Sequence, residues 1–298
     1  MSQSLHLKAY AKINLALDVV RRREDGYHDV RMIMQTVRLF DRINMKIIPG
    51  NDIRISTNLP YLPDNKDNLV YKSIEIIRSH YGIKDGIEAV IEKHIPVAAG
   101  LAGGSSDAAA ALVGMNQLFG LGIRQSRLME LGVSLGADIP FCIMRGTALS
   151  EGIGERLTPL PPIPDCWILL LKPTFPMSTK YVYQNLTLNE HTVHPDIDGM
   201  VKAIREGSLS GITGRMGNVL ESAVGSHLSD ICRLKSLIIE LGAQAALMSG
   251  SGSTVYGIFT DRGKAAHALS RLSKDPLIHH GTVVSPFQKT PAGGSVFS

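Results

Sequence analysis

A stretch of small residues from Pro96 to Ser106 could bind phosphate. It follows an apolar segment typical of a strand and leads into an alanine-rich segment, residues 107–112, typical of a helix. Small residues let backbone N–H groups approach a ligand closely, and the first N–H groups of a helix have no partners within it. Such a helix start attracts anions. The pattern therefore predicts a phosphate-binding loop, although a turn that only packs a helix closely on a sheet has a similar composition.

Two polar residues interrupt an apolar strand near the N-terminus. Lys12 and Asn14 alternate with Ile13 and Leu15, so the two polar side chains share one face of the predicted strand. An ammonium group in such a place either pairs with an anion or lies on a sheet edge, where it discourages aggregation. Both interpretations stay open at this point.

Two further segments combine small and polar residues. Asp138 lies in the bend 136–140, where an aspartate often bonds its own backbone. The segment 249–253 alternates serine with glycine between two predicted strands. It could surround a phosphate or a substrate, and it could equally be a flexible hairpin loop.

A mixture of strands and helices must position these residues. Alternating apolar residues predict strands at 5–20, 42–48, 52–57 and 87–95, and a capped helical pattern begins at Asp67. The sequence also predicts strands at 141–149, 167–171, 254–259 and 282–287, and helices at 125–135, 178–187, 196–206, 217–225, 229–241 and 263–273. A proline-rich segment at 159–164 is the best candidate for a linker, and we expect the tail at 292–295 to be frayed.

The composition argues against several classes of protein. The formal net charge of +4 and an aromatic content of 5% do not favour a nucleic-acid-binding surface. No apolar run approaches the roughly 20 residues that cross a membrane. The three cysteines form no Cys-x-x-Cys pair and the N-terminus lacks a signal-peptide pattern, so we expect a cytoplasmic protein with reduced thiols.

Taken together and in this order, the segments resemble the GHMP kinase superfamily, named after galactokinase, homoserine kinase, mevalonate kinase and phosphomevalonate kinase. Its three motifs lie near the N-terminus, at a Pro-to-Ser-Ser loop and at a late Gly-Ser-Gly loop, and this sequence has all three. The segments 11–15, 25–28, 95–109 and 136–141 are similar to one branch of that superfamily, which phosphorylates 4-diphosphocytidyl-2-C-methyl-D-erythritol. The resemblance covers nearly the whole chain.

The resemblance implies an α+β fold of two domains with the active site in the cleft between them. Residues 1–158 would form a ribosomal-S5-like, ATP-binding domain, and residues 159–298 a ferredoxin-like domain that contributes to the substrate site. The implied activity is transfer of the γ-phosphoryl group of ATP to the 2-hydroxyl of the cytidine-diphosphate substrate, in the non-mevalonate route to isoprenoids. The alternatives are a homoserine or mevalonate kinase and a ligand-binding homologue without catalysis.

The resemblance also assigns residues to roles. Asp138 is expected to accept the hydroxyl proton, while Lys12 keeps Asp138 ionised and stabilises negative charge. The residues expected at ATP are Asn68, Lys93, Pro96, Val97, Ala98, Ala99, Gly100, Leu101, Ala102, Gly103, Gly104, Ser105 and Ser106. The residues expected at the substrate are Asn14, Tyr27, His28, Thr179 and Tyr183, with Tyr181 as the alternative to Tyr183 for stacking on cytosine.

We expect Mg²⁺ to accompany ATP, but no acidic residue stands out in the sequence as its ligand. Ser105, Ser106, or mainly the phosphate oxygens and water could hold the ion. The expected partner is the small-molecule substrate, with no nucleic acid and no membrane, and the protein is expected to be a monomer or a homodimer. The sequence departs from many members of the superfamily at Ala98 and Ala102, where those members have glycine.

Overall fold

Two long antiparallel strands, β1 (Ser4–Arg22) and β2 (His28–Ile48), organise the first part of the chain. They belong to a computed structural model that describes residues 4–288, so the predicted frayed tail lies outside the described residues. The turn between them contains Gly26, whose φ of 85° suits a residue without a Cβ. Three irregularities interrupt the pairing of β1 with β2, two of them flanking Lys12 and Asn14. Such irregularities bend a strand and redirect its side chains.

The first sheet is built on this hairpin. The order β3 (Ile53–Thr57), β4 (Gly86–Glu92), β2, β1 and β8 (Gly217–Asn218) gives its main path. The long strand β2 pairs with β4 through one end and with β5 (Thr147–Gly152) through the other, and β5 pairs with β6 (Arg156–Leu160). One continuous strand thereby connects the β3–β4 pair with the β5–β6 pair.

Helices cover this sheet and bring the predicted loop to its edge. They are α1 (Leu69–Tyr81), α2 (Gly103–Leu118), α3 (Gln125–Val133) and α4 (Ile139–Met144). The four alanines 108–111 of α2 are fully buried, and their small side chains let the helix approach the sheet closely. The structure therefore agrees with the sequence in placing a small-residue loop directly before a buried helix.

The second sheet is antiparallel and has the order β11 (Ile278–Val284), β7 (Trp167–Pro173), β10 (Val255–Phe259) and β9 (Ala245–Met248). The helices α5 (Thr179–Asn185), α6 (Ile197–Arg205), α7 (Leu209–Thr213) and α8 (Leu228–Glu240) follow β7, and α9 (Arg262–Leu272) connects β10 with β11. With α8 and α9 as its two helices, this sheet has the β-α-β-β-α-β connectivity of a ferredoxin-like fold.

Three predicted elements differ from the structure in type or extent, and the sequence did not predict β6 or α7. Residues 141–149 form the end of α4 and the start of β5, because the apolar run around Phe141 is a short buried helix rather than a strand. Residues 217–225 form the short strand β8 and a 3-10 turn, Val219–Ala223, instead of a helix. The last strand ends at Val284, three residues before its predicted end at 287.

The chain passes from one sheet to the other through the proline-rich segment 161–166, between β6 and β7. The predicted boundary at 158/159 therefore falls inside β6, a few residues before the change of sheet. Residues from the second half also join the first sheet, because Gly217 and Asn218 pair with β1. The division into domains 1–158 and 159–298 remains a prediction.

Candidate active site

A cleft of about 1060 Å³ lies where the two sheets and their loops meet. Loop residues 96–105 line one side, and the residues of α5 that face the cleft line another: Thr179, Lys180, Tyr183 and Gln184. Lys12, Asp138 and Gly250 lie between these two sides. Residues separated by more than 200 positions in the sequence thus share one cavity, as the resemblance implied.

The Lys12 ammonium is held in a fixed position on the floor of the cleft. Its side chain is 6% exposed, and Nζ donates a hydrogen bond of 2.8 Å to Oδ1 of Asn14. Its backbone N–H donates to the carbonyl oxygen of Leu101 at 3.1 Å. This bond joins β1 to the predicted phosphate-binding loop, residues 96–106, which we call the phosphate loop. Nζ also lies 3.5 Å from Oδ2 of Asp138. The ammonium pairs with an anion, so the interpretation of Lys12 as a lysine on a sheet edge is wrong.

Asp138 presents its carboxylate to the cleft. The residue immediately precedes α4 and its side chain is 31% exposed. The carboxylate makes no capping hydrogen bond to α4, whereas the carbonyl oxygen of Asp138 accepts from the Cys142 N–H at 3.1 Å. The bend therefore uses the backbone of Asp138 and leaves its carboxylate facing Lys12, which is the arrangement that a general base needs.

Asn14 lies behind Lys12 rather than on the cleft wall. Its side chain is fully buried, and Nδ2 donates to the Met32 sulfur at 3.1 Å. Its carbonyl oxygen accepts a 2.8 Å hydrogen bond from the hydroxyl of Tyr256. The predicted contact between Asn14 and substrate does not fit this position, because the buried amide contacts Lys12 and Met32 and does not line the cleft.

The phosphate loop packs directly on the serine-glycine loop between β9 and β10. The Thr254 N–H donates to the Ala99 carbonyl oxygen at 3.2 Å. A Cβ on Gly100 would stand 2.0 Å from the carbonyl oxygen of Ser249, so no other residue fits there. Ala98 and Ala102 have φ values of 50° and 56°, a region that glycine adopts more readily. Both alanines therefore adopt the left-handed backbone conformation in this loop.

The two serines at the start of α2 differ in orientation. Ser105 lines the cleft. The Ser106 hydroxyl instead donates to the carbonyl oxygen of Tyr10 at 2.6 Å and lies 3.3 Å from the Cys142 sulfur. The buried Ser106 side chain ties α2 to β1 and does not reach the cleft, so its expected contact with phosphate or metal does not fit the structure.

A buried ion cluster supports the base of the loop. The Lys93 ammonium contacts one oxygen of Asp41 and lies 2.6 Å from Oδ2 of Asp107. The other Asp41 oxygen accepts the backbone N–H groups of His94 and Ile95, the latter at 2.8 Å. Burial and the neighbouring Asp41 raise the pKa of Asp107 well above its ordinary value, although Lys93 opposes this shift. Asp41 was not predicted as a site residue, although a charged residue in a buried strand carries the same signal as Lys12.

The aromatic end of the cleft contains His28 and Tyr183, whose ring centroids lie 5.1 Å apart. Burial, together with the charge of Arg22, lowers the His28 pKa, which favours the neutral ring. Tyr27 lines the cleft and is 61% exposed. Tyr181 points elsewhere, because its hydroxyl lies 2.7 Å from where a Cβ on Gly225 would stand. Tyr183, and not Tyr181, therefore lines the cleft beside His28.

Asn68 also lines the cleft, and its side chain caps α1 by accepting from the Val70 N–H at 2.8 Å. Within residues 4–288, no group of three or more His, Cys, Asp or Glu side chains could enclose a metal ion. Of the two serines at the start of α2, Ser105 is the one that lines the cleft. In the described part of the chain, no helix combines the length and apolar character needed to span a bilayer.

Comparisons with known proteins show which family this chain belongs to. Residues 68–146 match the GHMP kinases N terminal domain, and residues 194–277 match the GHMP kinases C terminal domain. A 4-diphosphocytidyl-2-C-methyl-D-erythritol kinase from Lachnoclostridium phytofermentans is 53% identical over 91% of this chain and 94% of that protein. The protein of the same name from Bacillus subtilis is 46% identical over 84% and 86%, respectively.

Two solved structures have folds similar to that of this chain. A crystal structure of 4-(cytidine 5'-diphospho)-2C-methyl-D-erythritol kinase superposes with a TM-score of 0.80 at 28% identity, covering 95% of this chain and 99% of that one. A homoserine kinase from Cytophaga hutchinsonii superposes with a TM-score of 0.76 at 19% identity, over 97% and 96% of the two chains. The second similarity shows a shared fold only.

Proposed function

Because the chain belongs to the 4-diphosphocytidyl-2-C-methyl-D-erythritol kinase family of the GHMP kinases, we propose that it transfers the γ-phosphoryl group of ATP to the 2-hydroxyl of 4-diphosphocytidyl-2-C-methyl-D-erythritol. The reaction is a step of the non-mevalonate route to isoprenoid precursors. The observation that carries the proposal is the 3.5 Å approach of Lys12 Nζ to Asp138 Oδ2 in the cleft. This pair lies between a phosphate-binding loop and an aromatic end suited to a base.

Asp138 is the group that accepts the proton. A tertiary alcohol is a weak nucleophile, and its proton must leave as its oxygen bonds to the γ-phosphorus. The proton goes to the Asp138 carboxylate, the bond between the γ-phosphorus and the bridging oxygen breaks, and ADP departs. The 31% exposed carboxylate can reach a ligand, and it spends no hydrogen bond on capping α4.

Lys12 provides positive charge at the attacking oxygen. Its ammonium is aimed by Asn14 and anchored through the backbone to Leu101 of the phosphate loop. A charge fixed before the reaction needs no reorganisation during it, so it stabilises the transition state more than a mobile lysine does. Phosphoryl transfer depends mostly on such positioning and charge stabilisation.

The nucleotide subsite is the loop 96–105 with Asn68 and Lys93. Backbone N–H groups at the start of α2 suit the phosphates, and Asn68 lines the adjoining part of the cleft. Mg²⁺ neutralises phosphate charge when it is bound. Ser105 is the residue that we assign to that ion, with phosphate oxygens and water as its remaining ligands.

The substrate subsite is assigned to Tyr27, His28, Thr179 and Tyr183. Tyr27 and Tyr183 offer ring faces for cytosine, and the His28 ring can hydrogen-bond to an edge of the base. A base-binding end favours a cytidine-containing acceptor over homoserine or mevalonate, which have no base. The presence of both Lys12 and Asp138 favours an enzyme over a homologue that only binds ligand.

The cellular compartment, the oligomeric state and the partners of the protein are also proposals. We assign it to the cytoplasm, as a monomer or homodimer that acts on a small molecule without a nucleic-acid or membrane partner. The small net charge of +4 supports the proposal that the protein has no nucleic-acid partner.

An acceptor panel tests the proposed function. The purified protein with Mg²⁺ and ATP is offered 4-diphosphocytidyl-2-C-methyl-D-erythritol, mevalonate and homoserine separately, and ADP release is followed with each. We expect ADP release with the cytidine-diphosphate substrate and only the background rate with the other two. Activity confined to mevalonate or homoserine would replace the assignment, and binding of the cytidine ligand without ADP release would indicate the non-catalytic alternative.

A further inference from the structure

The side chains along the cleft form an ordered series from the reacting centre to the aromatic end. At the centre, Lys12 Nζ lies 3.5 Å from where a Cβ on Gly250 would stand. The next residue, Ser251, has its hydroxyl 2.8 Å from the hydroxyl of Thr179, the first residue of α5. Tyr183, one turn further along α5, contacts His28. The first turn of α5 therefore carries both a residue that contacts the serine-glycine loop, Thr179, and a residue of the aromatic end, Tyr183.

Lys180 lies in this intermediate stretch. It follows Thr179, lines the cleft, and precedes Tyr183 by three residues, so the two side chains lie on the same face of α5. Its side chain is exposed, and no carboxylate of the described residues forms an ion pair with it. Its positive charge is therefore available to a ligand.

The other cations of the cleft are placed for different tasks. Lys12 is held between Asn14 and Asp138, and Lys93 is held between two aspartates. Arg22 is the last residue of β1 and pairs with His28 across the ladder, at the outer end of the base site. Lys180 is the cleft-lining cation that α5 carries between Thr179 and Tyr183.

The proposed substrate must place negative charge in that intermediate stretch. A diphosphate links its cytidine to its methylerythritol, so the diphosphate lies between cytosine at Tyr183 and the hydroxyl at Asp138. A lysine ammonium is a usual partner for phosphate, and charge-assisted hydrogen bonds are stronger than neutral ones. Resting on the proposed function, we infer that Lys180 binds the diphosphate of the acceptor substrate and so sets its register between the base site and Asp138.

Ligand truncation combined with side-chain truncation tests this assignment. Dissociation constants of CDP and cytidine are measured by calorimetry for the wild type, Lys180→Gln and Lys180→Arg. We expect Lys180→Gln to weaken CDP binding by about tenfold while cytidine binding changes little, because only CDP carries the diphosphate. Lys180→Arg should restore most of the CDP affinity. Lys202→Gln, which removes an exposed lysine of α6 outside this cleft, is the matched control and should leave both constants unchanged.

Kinetic constants supply a second readout. Lys180→Gln should raise the KM of the cytidine-diphosphate substrate and leave the KM of ATP unchanged. Equal losses of CDP and cytidine affinity, or no loss of either, would overturn the assignment, as would a selective CDP loss found with Arg22→Gln but not with Lys180→Gln. The binding experiment does not depend on turnover. A wild type that binds CDP through Lys180 yet phosphorylates no acceptor would therefore contradict the proposed function alone.

Discussion

The Ser249 hydroxyl donates a 2.9 Å hydrogen bond to the carbonyl oxygen of Gly100, so the loop that leaves β9 supports the phosphate loop that precedes α2. The two loops come from opposite halves of the chain, and each limits the conformations open to the other. Gly100 is the tightest point of this contact, because the Ser249 carbonyl oxygen occupies the space of a Cβ.

Gly100→Ala should therefore disturb the nucleotide site. The added methyl group must displace the Ser249 backbone, and the residue must also keep a φ of 73°. We expect a rise of at least tenfold in the KM of ATP or a comparable loss of kcat, measured in a coupled ADP-release assay with folding checked by circular dichroism.

Gly120→Ala is the matched control for this prediction. Gly120 has a similar φ of 58°, but nothing lies within 4 Å of its Cβ position. This variant should lose about 1–2 kcal/mol of stability from backbone strain, with the KM of ATP unchanged. Equal kinetic effects of the two variants would show that the contact with Ser249 is not what Gly100 serves.

The ion cluster beneath the loop should make stability depend on pH. The pKa of Asp107 is raised by burial, so the folded protein binds a proton more readily than the unfolded chain. Stability from this group is then fully present below the unfolded pKa of about 3.9 and is lost as pH rises towards the folded pKa. Between the two pKa values, this group lowers the free energy of unfolding by at most about 1.4 kcal/mol for each unit by which the pH rises.

Asp107→Asn should remove this contribution. The free energy of unfolding is measured with urea at several pH values between about 4 and 7. As the pH rises, it should fall less in the variant than in the wild type. Asp64→Asn, which changes an exposed aspartate, should follow the wild-type profile. If the free energy of unfolding of Asp107→Asn changes with pH in parallel with that of the wild type, the pKa of Asp107 is not raised in the folded protein.

Stacking at the base site should distinguish the two tyrosines of α5. Tyr183→Leu retains apolar packing but loses the ring face near His28, so the KM of the cytidine-diphosphate substrate should rise by about tenfold or more. Tyr181→Leu should leave that KM unchanged, because Tyr181 lies against Gly225. Steady-state kinetics at saturating ATP measure both. The reverse ranking would move the stacking role to Tyr181.

The sequence predicts the chemistry of the site better than the local structure around it. Alternation placed Lys12 and Asn14 on one face, and the structure joins them by a hydrogen bond. The same rule cannot tell which of two neighbouring polar residues faces a ligand. Asn14 proved to be fully buried behind the lysine. The orientation of a polar side chain depends on the elements packed above it, here β2 and β10, which are distant in sequence.

Short apolar segments were the least predictable. Residues 139–144 form a buried helix, because an apolar run of this length has no periodicity that separates a helix from a strand. That difference matters for the site, since Asp138 immediately precedes this helix. Ser106 illustrates the same limit. Its position at a helix start suggested phosphate, but its side chain bonds to Tyr10 across the core.

The most direct test of the account is the single-turnover rate of phosphoryl transfer in Asp138→Asn. Asparagine has the same shape as aspartate and cannot accept the hydroxyl proton, while the loop, Lys12 and the base site stay in place. With ATP and 4-diphosphocytidyl-2-C-methyl-D-erythritol both prebound, rapid-quench measurement should show a rate lower by about 10²- to 10⁴-fold than the wild type, with the affinity for ATP unchanged. A transfer rate within a few-fold of the wild type would contradict the role of Asp138 as the base.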